Sequence, residues 1–166
     1  MCCITEAAFS HFVEFVMKPM LAILAGLCLL PLAAHAAPNK HYPSSGSVVS
    51  GPSPAYSAAV EANGTLYISG TTDVTDPATG QRPVDATTGA KLVMNNLKRA
   101  VEAAGYTMDD VVWLQIMASD LKDYADFNAV YRTYFKGPLP ARAFIGAGSL
   151  LGNARFEVMG MAVKAK

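Results

Sequence analysis

The pattern of apolar and polar positions divides the chain near residue 37. A short basic start at Lys18 leads into an apolar run from Leu21 to Leu32, and Ala34-His35-Ala36 is a small-x-small cleavage signal. This arrangement is typical of a secretory signal peptide, and the run is shorter than the roughly 20 residues that a membrane span needs. The pattern therefore predicts a signal peptide over residues 1–36 and a periplasmic or secreted protein.

The segments on either side of the signal refine these limits. Glu6 and Glu14 are unusual in the basic region that opens a signal peptide, which leads to the hypothesis that translation starts at Met17. Residues 37–54 are rich in Pro, Ser, Gly and Asn without periodicity, and they are predicted to form a flexible leader. The folded domain then spans residues 55–166.

Beyond the leader, several stretches carry strand-like patterns. Asn63-Gly64 lies between two such runs, Ala55–Glu61 and Thr65–Ser69, and this dipeptide is the strongest short signal for a β-hairpin. Further strands are predicted over Asp110–Ser119, Ala141–Ala147 and Ala154–Lys164.

Two stretches with helical spacing separate these strands. The first, Asp85–Ala104, has Thr87 or Thr88 available as a cap at its start, and Gly105 follows its end. The second, Asp120–Phe135, carries an aromatic stripe, which is more often part of a core than a cofactor site.

The resulting order is strand-strand-helix-strand-helix-strand-strand. This order predicts an α+β sandwich, in which a mixed β-sheet carries two helices on one face. The other face of the sheet must also be covered, and in so short a mature chain only self-association can easily cover it. An oligomer is therefore expected.

Composition excludes several classes of chemistry once the signal is removed. Cleavage after Ala36 leaves 130 of the 166 residues and takes away all three cysteines and two of the three histidines. The mature chain then has no disulfide, no thiol nucleophile and no histidine in its folded body, which argues against thiolate-ligated metal sites, histidine-ligated zinc and serine–histidine catalysis. It also has no glycine-rich phosphate loop. The formal charge changes only from 0 to +1, so the balance gives no reason to expect nucleic acid or an anionic membrane as partner.

One charge stands out in each of the last two strands. Arg142 begins the apolar strand that follows Pro140, and Glu157 shares a strand face with Met159 and Met161. Charges in apolar surroundings are costly unless they are paired. The residues alone leave two interpretations open, a structural Arg142–Glu157 pair and a site in which a ligand supplies the anion.

Several short motifs resemble the RidA/YjgF family of reactive-intermediate deaminases, and they occur in the order and spacing of that family. The resemblance runs from Val60 to the C-terminus. The motifs are Tyr67-Ile68-Ser69-Gly70, Asn96-Leu97-Lys98, Glu102-Ala103-Ala104-Gly105, Asp120-Leu121-Lys122-Asp123-Tyr124, Phe127-Asn128-Ala129-Val130-Tyr131 and Pro140-Ala141-Arg142.

The resemblance implies a chorismate-mutase-like homotrimer with active sites between subunits. It also implies hydrolysis of enamine or imine acids to 2-oxo acids and ammonia, without a metal or cofactor and with a small imino acid as partner. In this family Arg142 matches the arginine that binds the substrate carboxylate, and Glu157 matches the acid that handles the attacking water. The positions that match pocket residues are Tyr56, Ser69, Gly70, Asn128 and Phe144.

Some positions depart from the family pattern, and other functions remain open. Ala143 and Phe144 replace the usual Ser-Cys after the arginine, which affects the expected substrate choice more than the fold. One alternative is a non-catalytic trimer in the envelope that binds small carboxylates. Another is an action on RNA or unfolded proteins, although the near-zero net charge argues against RNA.

Overall fold

The computed structural model describes residues 39–43 and 55–164, so the expected signal peptide and most of the expected leader lie outside the described residues. Eight elements follow one another along the chain: β1 Lys40–His41, β2 Ala59–Ala62, β3 Thr65–Thr72, α1 Ala86–Ala103, β4 Val111–Ala118, α2 Tyr124–Tyr131, β5 Ala141–Gly146 and β6 Phe156–Val163. No helix within these ranges is long and apolar enough to cross a membrane.

The six strands form one mixed sheet in the order β1-β2-β3-β6-β4-β5. All neighbouring strands are antiparallel except β4 and β5, which are parallel because α2 carries the chain back across the sheet between them. The predicted α+β architecture with a mixed sheet is confirmed. The two-residue strand β1, which pairs with Glu61 and Ala62, was not expected from the sequence.

The hairpin between β2 and β3 forms where the sequence predicts it. Asn63 and Gly64 have φ values of 53° and 76°, the left-handed conformation that a two-residue hairpin loop requires at both central positions. Strand β2 starts later than the predicted strand Ala55–Glu61, because residues 55–58 bend before pairing begins at Ala59.

The start of α1 differs from the expectation. Asp85, rather than Thr87 or Thr88, is the N-cap, and its Oδ1 accepts the backbone N–H of Thr88 at 2.7 Å. The hydroxyl of Thr88 accepts the backbone N–H of Asp85 in return, so threonine supplies the second half of a capping box. Gly105 ends the helix with a φ of 76°, as expected.

The second predicted helix is divided. Its α-helical part covers Tyr124–Tyr131, and tight 3₁₀ turns over Leu121–Asp123 and Arg132–Tyr134 occupy its two ends. Asp120 caps the first of these turns by accepting the backbone N–H of Lys122 at 2.9 Å.

The core lies between the helices and one face of the sheet. The fully buried residues on this face come from the central strands and pack against α1 and α2; the largest are Leu66, Leu114, Ile116, Phe156 and Val158. The opposite face carries Tyr67, Trp113, Met117, Met159 and Met161, none of which is buried in the protomer. We call this apolar surface the open face.

The carboxylate of Asp73 holds the end of β3 to the start of β6. This side chain is 3% exposed, and its Oδ1 accepts the backbone N–H groups of Arg155 at 2.8 Å and Phe156 at 3.0 Å. Its backbone N–H also donates to the carbonyl of Phe156. Oδ2 lies against Gly89 of α1, where a Cβ would approach it to 2.4 Å. Asp73 therefore joins two strands and a helix at one point.

Replacing this carboxylate is expected to destabilise the fold strongly. Asp73→Ala leaves two strand N–H groups without their acceptor, and we expect a loss of about 3 kcal/mol in the free energy of unfolding. Asp73→Asn keeps one oxygen acceptor and should lose about 1 kcal/mol. Urea unfolding at matched protein concentration measures both changes. The exposed Asp126→Ala serves as control and should stay within about 0.5 kcal/mol of the wild type. Equal losses in all three variants would contradict the role of Asp73.

Candidate active site

Arg142 projects from β5 toward α2. It pairs with the buried Leu114 across the parallel ladder, so its side chain lies on the helix face of the sheet. Its Nη1 donates to the amide oxygen of Asn128 at 2.6 Å, and its Nη2 makes a longer contact of 3.4 Å with the hydroxyl oxygen of Tyr124. Both partners are neutral, so the guanidinium is oriented without being neutralised.

Three aromatic rings surround the same guanidinium. The Cζ atom of Arg142 lies 4.7 Å from the ring centroid of Tyr131 and 5.7 Å from those of Tyr124 and Phe144. Rings at such distances attract a cation and hold it in place. Within the described ranges, no carboxylate lies within 4 Å of Arg142. The guanidinium is thus a fixed, uncompensated positive charge, which suits the binding of an anion.

Phe144 forms part of this aromatic group. Its ring meets that of Tyr124 edge-on at a centroid distance of 5.0 Å, and it meets the buried Phe127 at 5.5 Å. The bulky residue therefore packs under α2, and it forms a wall beside the guanidinium.

Glu157 lies on the open face, next to an irregularity in β3. It pairs with Thr72 on one side and Met117 on the other. The register between β3 and β6 shifts at this point, so that Ser69 and Gly70 together lie opposite the single residue Met159. A Cβ on Gly70 would come within 2.1 Å of the Glu157 Oε1 atom. A larger residue at this position would force the carboxylate out of the place it occupies here.

Ser69 is hydrogen-bonded to the segment before β2, which also contains Tyr56. The hydroxyl of Ser69 donates to the carbonyl of Ser57 at 2.7 Å, and its backbone N–H donates to the carbonyl of Ala58. These bonds hold the segment before β2 against the bulge. Tyr56, the neighbour of Ser57, is 63% exposed and has a solvent-facing ring.

The structure separates the expected site residues into two groups. Arg142, Asn128 and Phe144 lie together on the helix face, whereas Gly70 and Glu157 lie together on the open face. The Arg142–Glu157 ion pair that the sequence left open is therefore not formed within a protomer. β4 separates the two strands, and the side chains point to opposite faces.

Two residues of the arginine site, Tyr124 and Tyr131, are not predicted as site residues by the sequence. Both belong to the aromatic stripe of the predicted helix Asp120–Phe135, which is interpreted as core. Their spacing with Asn128 is i, i+4, i+7, which places all three on one face of α2. The sequence feature that could have indicated their role is Asn128, an amide within an aromatic stripe. A partly buried amide requires a polar partner nearby.

Tyr131 carries a buried hydroxyl that has no hydrogen-bond partner among the described residues. Burial raises the pKa of this phenol, and the nearby Arg142 opposes that rise by stabilising the phenolate. Since the folded-state pKa lies above the ordinary value of 10.0, the stability from keeping Tyr131 neutral is complete below that pH. It is lost as the pH rises through the folded-state pKa.

Tyr131→Phe tests this description. The variant removes an unsatisfied buried hydroxyl and keeps the ring under the guanidinium, so we expect the free energy of unfolding at pH 7 to stay equal or to rise by up to about 1 kcal/mol. Absorbance titration should show one fewer tyrosine ionising above pH 10. Tyr67→Phe, at the half-exposed ring of the open face, is the control and should leave the late-ionising tyrosine in place. A loss of more than about 1 kcal/mol in Tyr131→Phe would show that the hydroxyl has a partner.

Within the described ranges, no group of three or more His, Cys, Asp or Glu side chains is arranged to hold a metal ion.

Comparisons with known proteins place this arrangement in a family. The model of the family described as Endoribonuclease L-PSP matches residues 49–164. The 2-iminobutanoate/2-iminopropanoate deaminase of Mus musculus is 37% identical over 110 residues, which cover 66% of this chain and 81% of the relative. The crystal structure of E. coli TdcF with bound serine is similar with a TM-score of 0.65 and 29% identity, over 69% of this chain and 92% of that one.

RidA from the Antarctic bacterium Psychrobacter sp. PAMC 21119 has a TM-score of 0.63 and 32% identity, again over 69% of this chain and 92% of that one. The resemblance noted in the sequence is thereby confirmed, and so is the sheet-and-helix architecture that it implied. The chain belongs to the Endoribonuclease L-PSP family, the family of the RidA and YjgF proteins.

Proposed function

We propose that the protein hydrolyses imines of amino acids, and the enamines in equilibrium with them, to 2-oxo acids and ammonia. The names of the similar mammalian deaminases support this proposal. The observation that carries it in this chain is the uncompensated guanidinium of Arg142, held by a neutral amide and three aromatic rings.

In the proposed reaction Arg142 binds the carboxylate of the substrate. A guanidinium donates two parallel N–H bonds to a carboxylate, and each such charge-assisted bond is worth about 1.5–3 kcal/mol. Asn128 accepts one N–H of Nη1 and Tyr124 makes a longer contact with Nη2, so the other N–H groups stay available. Because the guanidinium is fixed before binding, little side-chain entropy is lost when the imine carbon is placed.

Glu157 is proposed to act on water. The carboxylate accepts a proton from a water molecule as the water oxygen bonds to the imine carbon, and it returns a proton to the nitrogen as the C–N bond breaks. The hydroxyl of the resulting carbinolamine gives up its remaining proton, which the carboxylate also passes to the nitrogen, so that ammonia leaves and the former water oxygen becomes the keto oxygen. General acid–base help of this kind is worth about 10²–10⁴-fold in rate. The space left by Gly70 allows the carboxylate to reach a reacting group.

The two functional groups point to opposite faces of one sheet, so a single protomer cannot bring them to one substrate. We propose that a second copy completes each site, with Arg142 from one subunit and Glu157 from its neighbour, in a homotrimer. The half-exposed apolar residues of the open face support this assembly, because Tyr67 and Ile145 are 50% and 44% exposed in the protomer.

Turnover of freshly generated imino acids is the first test. An amino-acid oxidase supplies the imine, semicarbazide competes for it, and the rate in excess of the protein-free reaction is measured. We expect Arg142→Ala to lower kcat/KM by about 10²–10³-fold, because two charge-assisted bonds to the carboxylate are lost. Arg132→Ala, at an exposed arginine in the turn after α2, should leave the rate unchanged.

The same measurement separates this proposal from a non-catalytic trimer that binds small carboxylates. Rates equal to the protein-free reaction across small, large and aromatic imino acids would refute the deaminase. Binding of 2-oxobutanoate without turnover, abolished in Arg142→Ala, would then favour the binding protein.

Mixing two inactive variants tests the shared site. In trimers formed by random exchange between Arg142→Ala and Glu157→Gln subunits, about one site in four receives an intact arginine from one subunit and an intact glutamate from the next. We therefore expect about a quarter of the wild-type activity from an equal mixture, although each variant alone is inactive. The masses of the intact trimers show whether subunits have exchanged. If they have, and the mixture stays as inactive as the separate variants, then Arg142 and Glu157 do not act together on one substrate across an interface.

A further inference from the structure

A polar cleft lies apart from the Arg142 and Glu157 groups. It has a volume of about 190 Å³, enough for several water molecules. Its walls come from the end of β4, from the segment that leads into β6 and from the loop before α1. The lining residues are Asp73, Arg82, Pro83, Ser119, Asn153, Ala154 and Arg155.

Two guanidinium groups are held in this cleft. Arg82 donates from Nη2 to the backbone carbonyl of Gly152 at 2.6 Å, and Arg155 donates from Nη1 to Oδ2 of Asp123 at 2.7 Å. Each guanidinium has five N–H donors, so most of the donors of both arginines remain available. An arginine that a backbone carbonyl already orients has less freedom to lose when it binds a ligand.

The charges around the cleft leave Arg82 without a counter-ion. Asp123 forms an ion pair with Arg155, and the Oδ1 atom of Asp73 is engaged by two backbone N–H groups. Within the described ranges, no carboxylate lies within 4 Å of the Arg82 guanidinium. The two arginines and the carboxylates of Asp73 and Asp123 balance in formal charge. The guanidinium that lacks a carboxylate partner is that of Arg82, which the carbonyl of Gly152 holds.

Neutral hydrogen-bond donors complete the lining. Ser119 contributes a hydroxyl, and Asn153 contributes an amide. Asn153 adopts the left-handed conformation with φ of 55°, and its backbone N–H donates to the carbonyl of Leu150 at 3.0 Å. The cleft thus combines two cations and the carboxylate of Asp73 with two small polar groups, around a space too small for a large ligand.

We propose that this cleft binds a small oxyanion, a phosphate or a monocarboxylate, with Arg82 as its principal ligand and Ser119 and Asn153 as further donors. Arg155 supports the anion from the opposite wall while it keeps its bond to Asp123. The site is distinct from the proposed substrate site, because the two share no residue.

The cleft and the Arg142 site are close along the chain. Asp123 binds Arg155, and the next residue, Tyr124, contacts Arg142. Arg155 is also only two residues before Glu157. An anion in the cleft therefore contacts the chain segments next to both proposed functional groups. Its binding can be measured separately from turnover.

A site-resolved titration tests the proposal. Amide and arginine Nε–H signals of the mature protein are followed by NMR while sodium phosphate or, separately, sodium acetate is added to about 50 mM at constant ionic strength. We expect saturable shifts at Arg82, Ser119 and Asn153 with at least one of the two anions. Saturation by phosphate alone identifies a phosphate-bearing ligand, and saturation by acetate identifies a carboxylate.

Variants assign the binding to Arg82. Arg82→Gln should weaken it at least tenfold, and Arg82→Lys, which keeps the charge but loses the planar fork, should weaken it less. Arg132→Gln is the matched control and should leave it unchanged. The side chain of Arg82 is exposed, so these variants are expected to fold, and the dispersion of the spectra verifies this. Shifts confined to Arg142 and Asn128, or shifts that persist in Arg82→Gln, would overturn the proposal, as would no saturable shift with either anion.

Discussion

The alternation of side chains across the central strands is the constraint on which the site depends. β6 pairs with β3 on one side and β4 on the other, and this double pairing leaves its register no freedom. Glu157 is thereby held opposite Met117 on the open face. The parallel pairing of β4 with β5 holds Arg142 opposite Leu114 on the helix face. One sheet thus presents a cation and a carboxylate in opposite directions, which is why the proposed function needs a second copy of the chain.

The sheet departs from regular structure beside Glu157. The bulge at Ser69 and Gly70 opens space for the Glu157 carboxylate, which a side chain at Gly70 would occupy. Three residues after Gly70, the buried carboxylate of Asp73 accepts two backbone N–H groups at the start of β6 and so holds the two strands together. The irregularity beside Glu157 therefore lies between regularly paired strand residues and the buried carboxylate of Asp73.

The surroundings of Arg142 differ from those of a structural ion pair. A buried arginine that serves stability is usually matched by a carboxylate, because an unpaired buried charge is costly. Here an amide and three aromatic rings orient the guanidinium and leave its charge available. Arg155 provides the contrast within the same chain, since Asp123 pairs with it and raises its pKa above the ordinary arginine value.

Local pattern was enough to predict the order of the elements from β2 onward, the hairpin at Asn63-Gly64 and Arg142 and Glu157 as the unusual charges. Periodicity and turn chemistry are local, so these features follow from neighbouring residues. That the two charges face apart, and that Tyr124 and Tyr131 lie around the guanidinium, became visible in the folded protein alone. The physical reason is that alternation specifies the faces of one strand, whereas the register between strands and the packing of α2 decide which faces coincide.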